Sequence, residues 1–186
     1  QMGGGSPTIR GFEANKVLLV VDGVRMNNAI FRGGHLQNVL SVDPNSLERM
    51  EVFNGPGSVI YGSDALGGVI HMFTATPYLA QTGKYSLISS RFIRASPANK
   101  ENTFHGDINY GKENWASYTS FTFSNYGDLQ MGKNHSFYRN DSAFGNKQFY
   151  AIRLNGNDTF LPNPNPRNQL STGYSQFDLV QKVLVR

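Results

Sequence analysis

A polar stretch between residues 26 and 38 carries the side chains of this sequence that are best suited to ligand chemistry. It combines amide groups, an aromatic ring, a cation and a histidine: Asn27, Asn28, Phe31, Arg32, His35 and Gln37. Arg32 could pair with carboxylates or phosphates, and His35 could supply a metal ligand. Such a set could hold a polar chelate or an anionic cofactor. Alternatively, His35 only hydrogen-bonds within its own loop.

The other reactive residue types do not predict an enzyme. The absence of cysteine removes disulfides, zinc–thiolate sites and thiol catalysis. There is no Gly-x-Ser-x-Gly elbow, no phosphate-binding glycine loop with Lys-Ser/Thr, and no His-Glu-x-x-His pair. His71 is expected to be a packing or interstrand residue, and His105 and His135 have no partner at metal-binding spacing. We therefore predict no catalytic residue, no metal site and no intrinsic cofactor.

The net charge of +4 does not indicate a nucleic-acid partner. Residues 1–78 carry five Lys/Arg and six Asp/Glu, whereas residues 79–186 carry twelve and seven. The surplus cations are scattered singly among polar and aromatic residues, with no basic stripe or RNA-binding motif. A solvated surface is the expected role of these charges.

An Asp-Gly pair divides two apolar runs near the start of the chain. The runs cover residues 18–21 and 24–26, and Asp22 and Gly23 lie between them. Two such residues between alternating apolar runs are the strongest short-range signal for a β-hairpin.

A helix is expected after this hairpin, followed by two strands. Asp43 suits the N-cap and Pro44 the first helical position, so we predict a short helix through about Arg49. Strands are predicted over residues 50–53 and 68–73. The pattern before Pro77 therefore predicts a mixed α/β unit.

Beyond Pro77 the sequence changes to long alternating stretches. Between residues 103 and 110, one face carries Phe104, Gly106, Ile108 and Tyr110 and the other carries Thr103, His105, Asp107 and Asn109. Further strands are predicted over residues 85–94, 115–123 and 177–186, with Thr122 and Lys182 on the polar faces of the last two. No run of 18 apolar residues predicts a membrane helix, but about ten alternating residues suffice for a strand of a membrane barrel.

The lengths of the connections favour a barrel over a sandwich. Residues 95–102 form a short connection, 112–114 a tight turn, and 126–173 a long Asn-rich stretch expected to lack regular structure. Outer-membrane barrels alternate short periplasmic turns with long extracellular loops. We therefore predict that 95–102 and 126–173 are extracellular and that 111–114 is periplasmic. The alternative is a disordered linker between soluble domains.

Four segments in register resemble the plug of TonB-dependent outer-membrane receptors. They are residues 8–12, 17–25, 48–52 and 54–70, and their order and spacing match that family across about 65 residues. The resemblance implies the C-terminal part of a mixed α/β plug domain over residues 1–77, followed over 78–186 by the first four or so strands of an antiparallel transmembrane β-barrel. The sequence shows no export signal and stops inside an alternating segment, so we expect a fragment of a larger receptor.

The resemblance also implies roles for individual residues. In the family, outward-facing plug turns touch the ligand, and by position these are residues 3–7 and 26–38. The implied ligand contacts are Ser6, Asn27, Asn28, Phe31, Arg32, His35 and Gln37. The implied plug motif and plug–barrel contacts are Arg10, Gly11, Asp22, Gly23, Arg25, Glu48, Arg49, Glu51, Gly55, Gly57, Tyr61, Gly62, Asp64, Gly67 and Gly68.

The charged members of the plug motif could pair with charges in the barrel lumen or with one another inside the plug. A wet ion pair is worth about 1 kcal/mol or less, so a seal of many such contacts would be reversible. The motif glycines would serve turns and close backbone approaches, or be ordinary loop glycines.

The function implied by the resemblance is active import across the outer membrane of a Gram-negative bacterium. The cargo would be a scarce nutrient such as an iron chelate, heme or cobalamin. The partners would be the TonB–ExbB–ExbD complex, through an N-terminal segment missing from this sequence, outer-membrane lipids, the small-molecule ligand and a candidate surface lipoprotein. The alternatives are a sensing or polysaccharide receptor of the starch-utilisation type, or a soluble β-rich adhesin extractable without detergent.

Overall fold

The computed structural model describes residues 5, 7–13, 16–26, 39–132 and 146–186. Two four-stranded sheets account for most of the regular structure, and two further pairs of strands lie in one connection. We call the described residues up to 76 the N-terminal unit, and the second four-stranded sheet the long sheet. No helix of the described part of the chain is long and apolar enough to cross a membrane.

The N-terminal unit is built on a mixed sheet. Its elements are β1 (Val17–Val21), β2 (Val24–Arg25), β3 (Leu47–Asn54), the short helix α1 (Ser58–Tyr61) and β4 (Gly68–Thr74). The strand order is β2-β1-β4-β3, with β1 parallel to β4 and the other pairs antiparallel. Strand β1 is buried on both faces, which explains why it is a continuous apolar run without alternation.

The core of this unit has two parts, which the side chains of β1 and β4 both enter. One cluster consists of Ile9, Val17, Leu19, Ile70 and Met72, and the other of Leu18, Val20, Ala65 and Val69. Full burial of a large aliphatic side chain contributes about 1.5–3 kcal/mol. The sheet and its two clusters thus form a rigid base for the turns around them.

The predicted Asp-Gly hairpin is confirmed. Val21 pairs with Val24, and Asp22 (φ 47°) and Gly23 (φ 83°) both adopt left-handed conformations. Positive φ at both central residues defines a type I′ turn, whose twist matches that of the flanking strands.

The predicted helix after Asp43 is wrong in length. Asp43 does cap a helical turn, but this is a single 3-10 turn over Pro44–Ser46. Leu47 already has extended backbone angles and pairs with Thr74, so β3 begins three residues earlier than predicted. Pairing with β4 outweighs the weak local preference for helix in this segment.

The long sheet contains the four predicted strands, each of them longer than expected. They are β5 (Ser86–Ser96), β6 (Glu101–Gly111), β7 (Trp115–Tyr126) and β12 (Tyr174–Val185), all antiparallel in the order β12-β7-β6-β5. The predicted turn between β6 and β7 is also confirmed, because the Lys112 amide donates to the Trp115 carbonyl at 2.7 Å.

The two faces of the long sheet differ in polarity, as the alternation predicts. One face is polar and packs against the N-terminal unit. It includes the buried residues Thr103, His105, Asn109, Ser120, Thr122 and Ser124. The opposite face is apolar and exposed, with Phe104, Ile108, Phe123, Phe177, Leu179 and Val183.

The long connection is not without regular structure, which corrects the prediction for residues 126–173. Its described part contains β8 (Leu129–Gln130) paired with β11 (Asn168–Gln169), and β9 (Phe149–Leu154) paired with β10 (Asn157–Pro162). Asn155 (φ 49°) and Gly156 (φ 85°) form another left-handed two-residue turn between β9 and β10. This Asn-Gly signal was present in the sequence and was overlooked.

An aspartate holds the two ends of this connection together. The Asp128 carboxylate accepts hydrogen bonds from the Gly173 amide (2.9 Å) and the Thr172 amide (2.8 Å). The Gly173 amide, followed by that of Thr172, outweighs the slight burial and lowers the pKa of Asp128 below its ordinary value. The first and last residues of the connection are therefore held next to each other at Asp128.

Candidate functional site

The seven side chains predicted to contact ligand lie outside the described residues: Ser6, Asn27, Asn28, Phe31, Arg32, His35 and Gln37. The structure does describe the two ends of the polar stretch. The Met26 amide donates to the Leu19 carbonyl at 2.9 Å, and the Val39 amide donates to the Gly5 carbonyl at 3.0 Å. Both ends are therefore attached to the N-terminal unit. The ligand contacts themselves stay a prediction.

The hairpin turn makes a polar contact with the long sheet through Asp22. Its carboxylate accepts hydrogen bonds from the Thr74 amide (2.9 Å) and the Thr74 hydroxyl (2.6 Å) on β4. The Lys182 ammonium on β12 lies 3.0 Å from the same carboxylate and donates to the Thr74 carbonyl, also at 3.0 Å. We call Asp22, Thr74 and Lys182 the hairpin latch.

The hairpin latch is partly wet. Partial burial acts to raise the pKa of Asp22, but the hydrogen bonds from Thr74 and the neighbouring Lys182 ammonium outweigh it and leave the pKa below its ordinary value. The Asp22 side chain is 37% exposed and that of Lys182 is 28% exposed. Because water screens such a pair, it is worth about 1 kcal/mol or less.

A second contact, at Asp43, is dry. One carboxylate oxygen of Asp43 accepts from the Asn45 amide (3.0 Å) and the Asn45 side-chain amide (2.8 Å). The other accepts from the Thr122 hydroxyl on β7 at 2.6 Å. Asp43 is 5% exposed and Thr122 is 1% exposed. The turn that Asp43 caps is thus fixed to the long sheet by a buried, charge-assisted hydrogen bond.

His105 of β6 completes this second contact. Its Nδ1 lies 2.7 Å from the Thr122 hydroxyl and 3.9 Å from the Asp43 carboxylate. Its Nε2 lies 3.3 Å from the carboxylate of Asp107, and the Phe92 ring stacks on the imidazole with 5.1 Å between centroids. We call Asp43, Thr122 and His105 the buried anchor.

Two further hydrogen-bonded contacts join the N-terminal unit and the segment after it to the long sheet. The Gln176 side-chain amide donates to the Leu40 carbonyl at 2.9 Å. The Asn109 side chain accepts a hydrogen bond from the Tyr78 amide (2.9 Å) and donates one to the Tyr78 carbonyl (3.1 Å). This pair of hydrogen bonds resembles the one that a residue of a neighbouring strand would make. Among the described residues, the contacts that join the two parts differ in burial.

The predicted charged residues of the plug motif find partners inside the N-terminal unit. Arg25 pairs with Asp64 at 3.1 Å, and Arg49 pairs with Glu51 at 2.9 Å. The carboxylate of Glu48 accepts from the Thr76 amide at 3.3 Å. These charges have partners inside the N-terminal unit, whereas Asp22 of the same motif pairs with Lys182 on the long sheet. For Arg10, the structure gives a left-handed backbone (φ 50°) in a tight turn with Gly11.

The motif glycines and Tyr61 lie at turns or close approaches. At Gly67, a Cβ would overlap the Cβ of Phe12, so no larger residue fits without a shift. The Tyr61 hydroxyl lies 3.3 Å from Nδ1 of His71, whose Nε2 accepts from the Gly23 amide at 3.1 Å. His71 is thus the interstrand residue predicted. The motif glycines with positive φ are Gly11, Gly23, Gly55, Gly62 and Gly68, and the motif glycine Gly57 packs against Val69.

Sequence reasoning missed the residues that join the two parts. Asp43 was predicted only as a helix cap, and Thr122, His105 and Lys182 only as members of a polar strand face. The alternation gave the face on which each would lie. No signal in the sequence could pair Asp43 with a hydroxyl 79 residues away.

Comparison with known proteins agrees with this arrangement. Residues 1–69 match the family model described as TonB-dependent Receptor Plug Domain. The Vitamin B12 transporter BtuB of Vibrio vulnificus (strain CMCP6) is 43% identical over 96 residues, which are 52% of this chain and 14% of that protein. Its counterpart in strain YJ016 is 29% identical over 133 residues, 72% of this chain and 17% of that protein. The chain thus spans less than a fifth of the length of these relatives.

Solved structures show the same fold. The FrpB iron transporter from Neisseria meningitidis (F3-3 variant) superposes with a TM-score of 0.62 at 18% identity, over 96% of this chain and 23% of that one. The copper transporter OprC gives 0.60 at 18% identity, over 73% and 21%. The described strands of the long sheet do not close into a barrel. Residues 1–69 therefore carry the plug domain of the TonB-dependent receptors, a family that lies in the outer membrane of Gram-negative bacteria, and the chain as a whole shares the fold of such receptors.

Proposed function

We propose that the receptor containing this chain binds a scarce nutrient on the outer side of its plug and imports it with energy relayed by TonB. The observation that supports this is the docking of the plug on the polar face of the long sheet through a few hydrogen bonds. The opposite face is apolar and suits contact with outer-membrane lipids. A plug held in this way can close a barrel and still be displaced.

Cobalamin is the first candidate cargo, because the relative with 43% identity is a vitamin B12 transporter. Heme and ferric chelates are the others. Arg32 could bind the acidic groups of any of these ligands, and His35 could reach a metal. The receptor is proposed to have no cofactor of its own and to act as a transporter without catalysis.

The proposed partners follow from the same mechanism. The TonB–ExbB–ExbD complex would act through a segment N-terminal to this sequence, and a surface lipoprotein is a candidate accessory. Nucleic acid has no proposed role, because the cations of the sequence form no basic stripe.

A direct test uses the full-length receptor purified in detergent. Equilibrium dialysis with labelled cyanocobalamin, hemin, a ferric chelate and a starch oligosaccharide would show which cargo binds saturably. Uptake by cells with and without a functional TonB would show whether transport depends on relayed energy. Arg32→Ala and His35→Ala should weaken binding, whereas Gln81→Ala, in an exposed segment between the two sheets, should not.

The outcomes separate the candidate functions. Saturable binding with TonB-dependent uptake of one of the first three compounds would support the proposal. Binding of the oligosaccharide alone would favour a polysaccharide receptor. Recovery of the receptor from membranes without detergent, with no ligand bound, would favour an adhesin and overturn the proposal.

A further inference from the structure

One charged residue stands on the face of the long sheet that points away from the N-terminal unit, which we call the outward face. Strand pairing arranges the outward side chains in rows, and one row consists of Arg91, Gly106, Phe121 and Leu179. The other Lys, Arg, Asp and Glu residues of these four strands, all of which the structure describes, lie in the alternate rows on the inward face: Arg94, Glu101, Asp107, Asp178 and Lys182. Arg91 is therefore the single outward charge of the described sheet.

Arg91 is exposed, and the space beside it is open. Its side chain makes no hydrogen bond or ion pair with any residue that the structure describes. Its neighbour on β6 is Gly106, and a Cβ added there would meet nothing closer than the Phe104 ring at 3.8 Å. The guanidinium can thus take a partner from outside the described chain without displacing a side chain.

The position of Arg91 along β5 places it nearer the edge of the sheet predicted to be extracellular. A row of small and polar side chains marks that edge: Ala95, Asn102, Asn125 and Ser175. Arg91 precedes Ala95 by four residues, which is about 13 Å along the strand and about 10 Å in depth for a tilt of about 40°. The apolar band of such a barrel is about 25 Å tall, so Arg91 lies in its outer half.

A cation at this depth is stabilised by an anion at the outer edge of the band. An arginine that faces lipid is strongly destabilising at the bilayer midplane and nearly neutral near the interface. Its flexible stem lets the guanidinium reach the headgroups while the methylenes cover apolar surface, here next to Ile93, which is 81% exposed. The planar guanidinium binds phosphate through two parallel hydrogen bonds.

We propose that Arg91 binds a phosphate group of an outer-leaflet lipid, whose acyl chains lie along the aromatic residues of the outward face. The ring of Phe121, in the same row as Arg91, lies 6.1 Å from that of Phe104 and 5.1 Å from that of Phe177. These rings form a continuous apolar surface for the chains. The contact depends on the predicted orientation of the strands and not on which nutrient the receptor carries.

The alternative partner is a carboxylate of the receptor itself, on the strand that would pair with the free edge of β5 in a closed barrel. Such a pair needs a second outward charge within the apolar band. The four described strands place no carboxylate on that face, whereas phosphate groups are present along the whole outer edge of the membrane. The lipid is therefore the favoured partner.

Lipid binding to the full-length receptor in detergent tests the proposal. Native mass spectrometry measures the affinity for phosphorylated lipid A and for lipid A from which the phosphates have been removed. The wild-type receptor should bind the phosphorylated form about tenfold or more tightly, as expected for a hydrogen bond between charged groups. Inorganic phosphate at the same concentration should not displace it, because free phosphate has no acyl chains to bury.

Two variants and a control assign the preference to Arg91. Arg91→Gln should bind the two forms of lipid A equally. Arg91→Lys should keep a reduced preference, because an ammonium group attracts phosphate only as a point charge. Arg153→Gln is the matched control and should keep the wild-type preference, since Arg153 is an exposed arginine of the β9–β10 hairpin that pairs with Asp158.

Equal affinity of the wild type for the two lipids would overturn the proposal, and so would an Arg91→Gln variant that keeps the wild-type preference. Lower thermal stability of Arg91→Gln in lipid-free detergent, with an unchanged lipid preference, would assign the arginine to a carboxylate of the closing strand. Should Arg91→Gln fail to assemble, the comparison of the two lipids on the wild type and on Arg91→Lys decides.

Discussion

Replacing Thr122 with valine should release the plug turn from the barrel while preserving volume. Valine has nearly the same shape as threonine but lacks the hydroxyl that donates to Asp43 at 2.6 Å. The nearest remaining donor to that carboxylate oxygen is Nδ1 of His105 at 3.9 Å, which is too long for a hydrogen bond. A hydrogen bond to a charged group contributes about 1.5–3 kcal/mol, and its loss leaves a buried oxygen without a partner.

That free energy corresponds to roughly a ten- to hundredfold loss of protection, because about 1.4 kcal/mol is a factor of ten. The assay is hydrogen exchange at Asn45 and Ser46 in the full-length receptor. The control is Thr119→Val on the same strand, whose hydroxyl donates to Gln181 on the opposite, outward face. Equal protection of the turn in the two variants would refute the reasoning, because the buried bond would then contribute nothing to docking.

Two further predictions concern a close approach and a pH dependence. Gly111→Ala should displace the segment after the plug at a cost of about 1–3 kcal/mol, because its Cβ would overlap the Tyr78 carbonyl oxygen. The control is Gly106→Ala, whose Cβ would have its nearest neighbour 3.8 Å away and should displace nothing. Hydrogen exchange of the Tyr78 amide compares the two variants. Asp22→Asn should weaken the contact with Lys182 by no more than about 1 kcal/mol. Since folding lowers the pKa of Asp22, its contribution should be present above about pH 3.9 and vanish as the pH falls through the folded value. A difference between wild type and Asp22→Asn, in exchange of the hairpin amides, that does not shrink as the pH is lowered below about 3.9 would contradict this assignment.

These predictions rest on a difference between two contacts of the plug. The sequence suggests a seal made of many weak, wet pairs. The hairpin latch fits that description, since its two charged side chains are 37% and 28% exposed. The buried anchor does not, because Asp43 is 5% exposed, and removing one partner of such a group is costly. A force that displaces the plug should therefore break the contact at Asp22 more readily than the contact at Asp43.

Local patterns in the sequence determined much of the fold. The Asp22-Gly23 turn, the four alternating strands and the 112–114 turn depend on steric preferences and periodicity within a few residues, and the structure confirms them. The motif order around the hairpin and the glycines was enough to indicate the receptor family. The predicted helix to Arg49 failed where a distant strand, β4, decided the backbone conformation.

Only the tertiary structure decided how the plug is held. The alternation placed Thr122, His105 and Lys182 on a polar face without saying what they meet. Their partners Asp43 and Asp22 are 62 or more residues away in sequence, and each was predicted only as a cap or a turn former. A hydrogen bond between such residues leaves no periodic pattern in the sequence, because it forms only when the two sheets pack face to face.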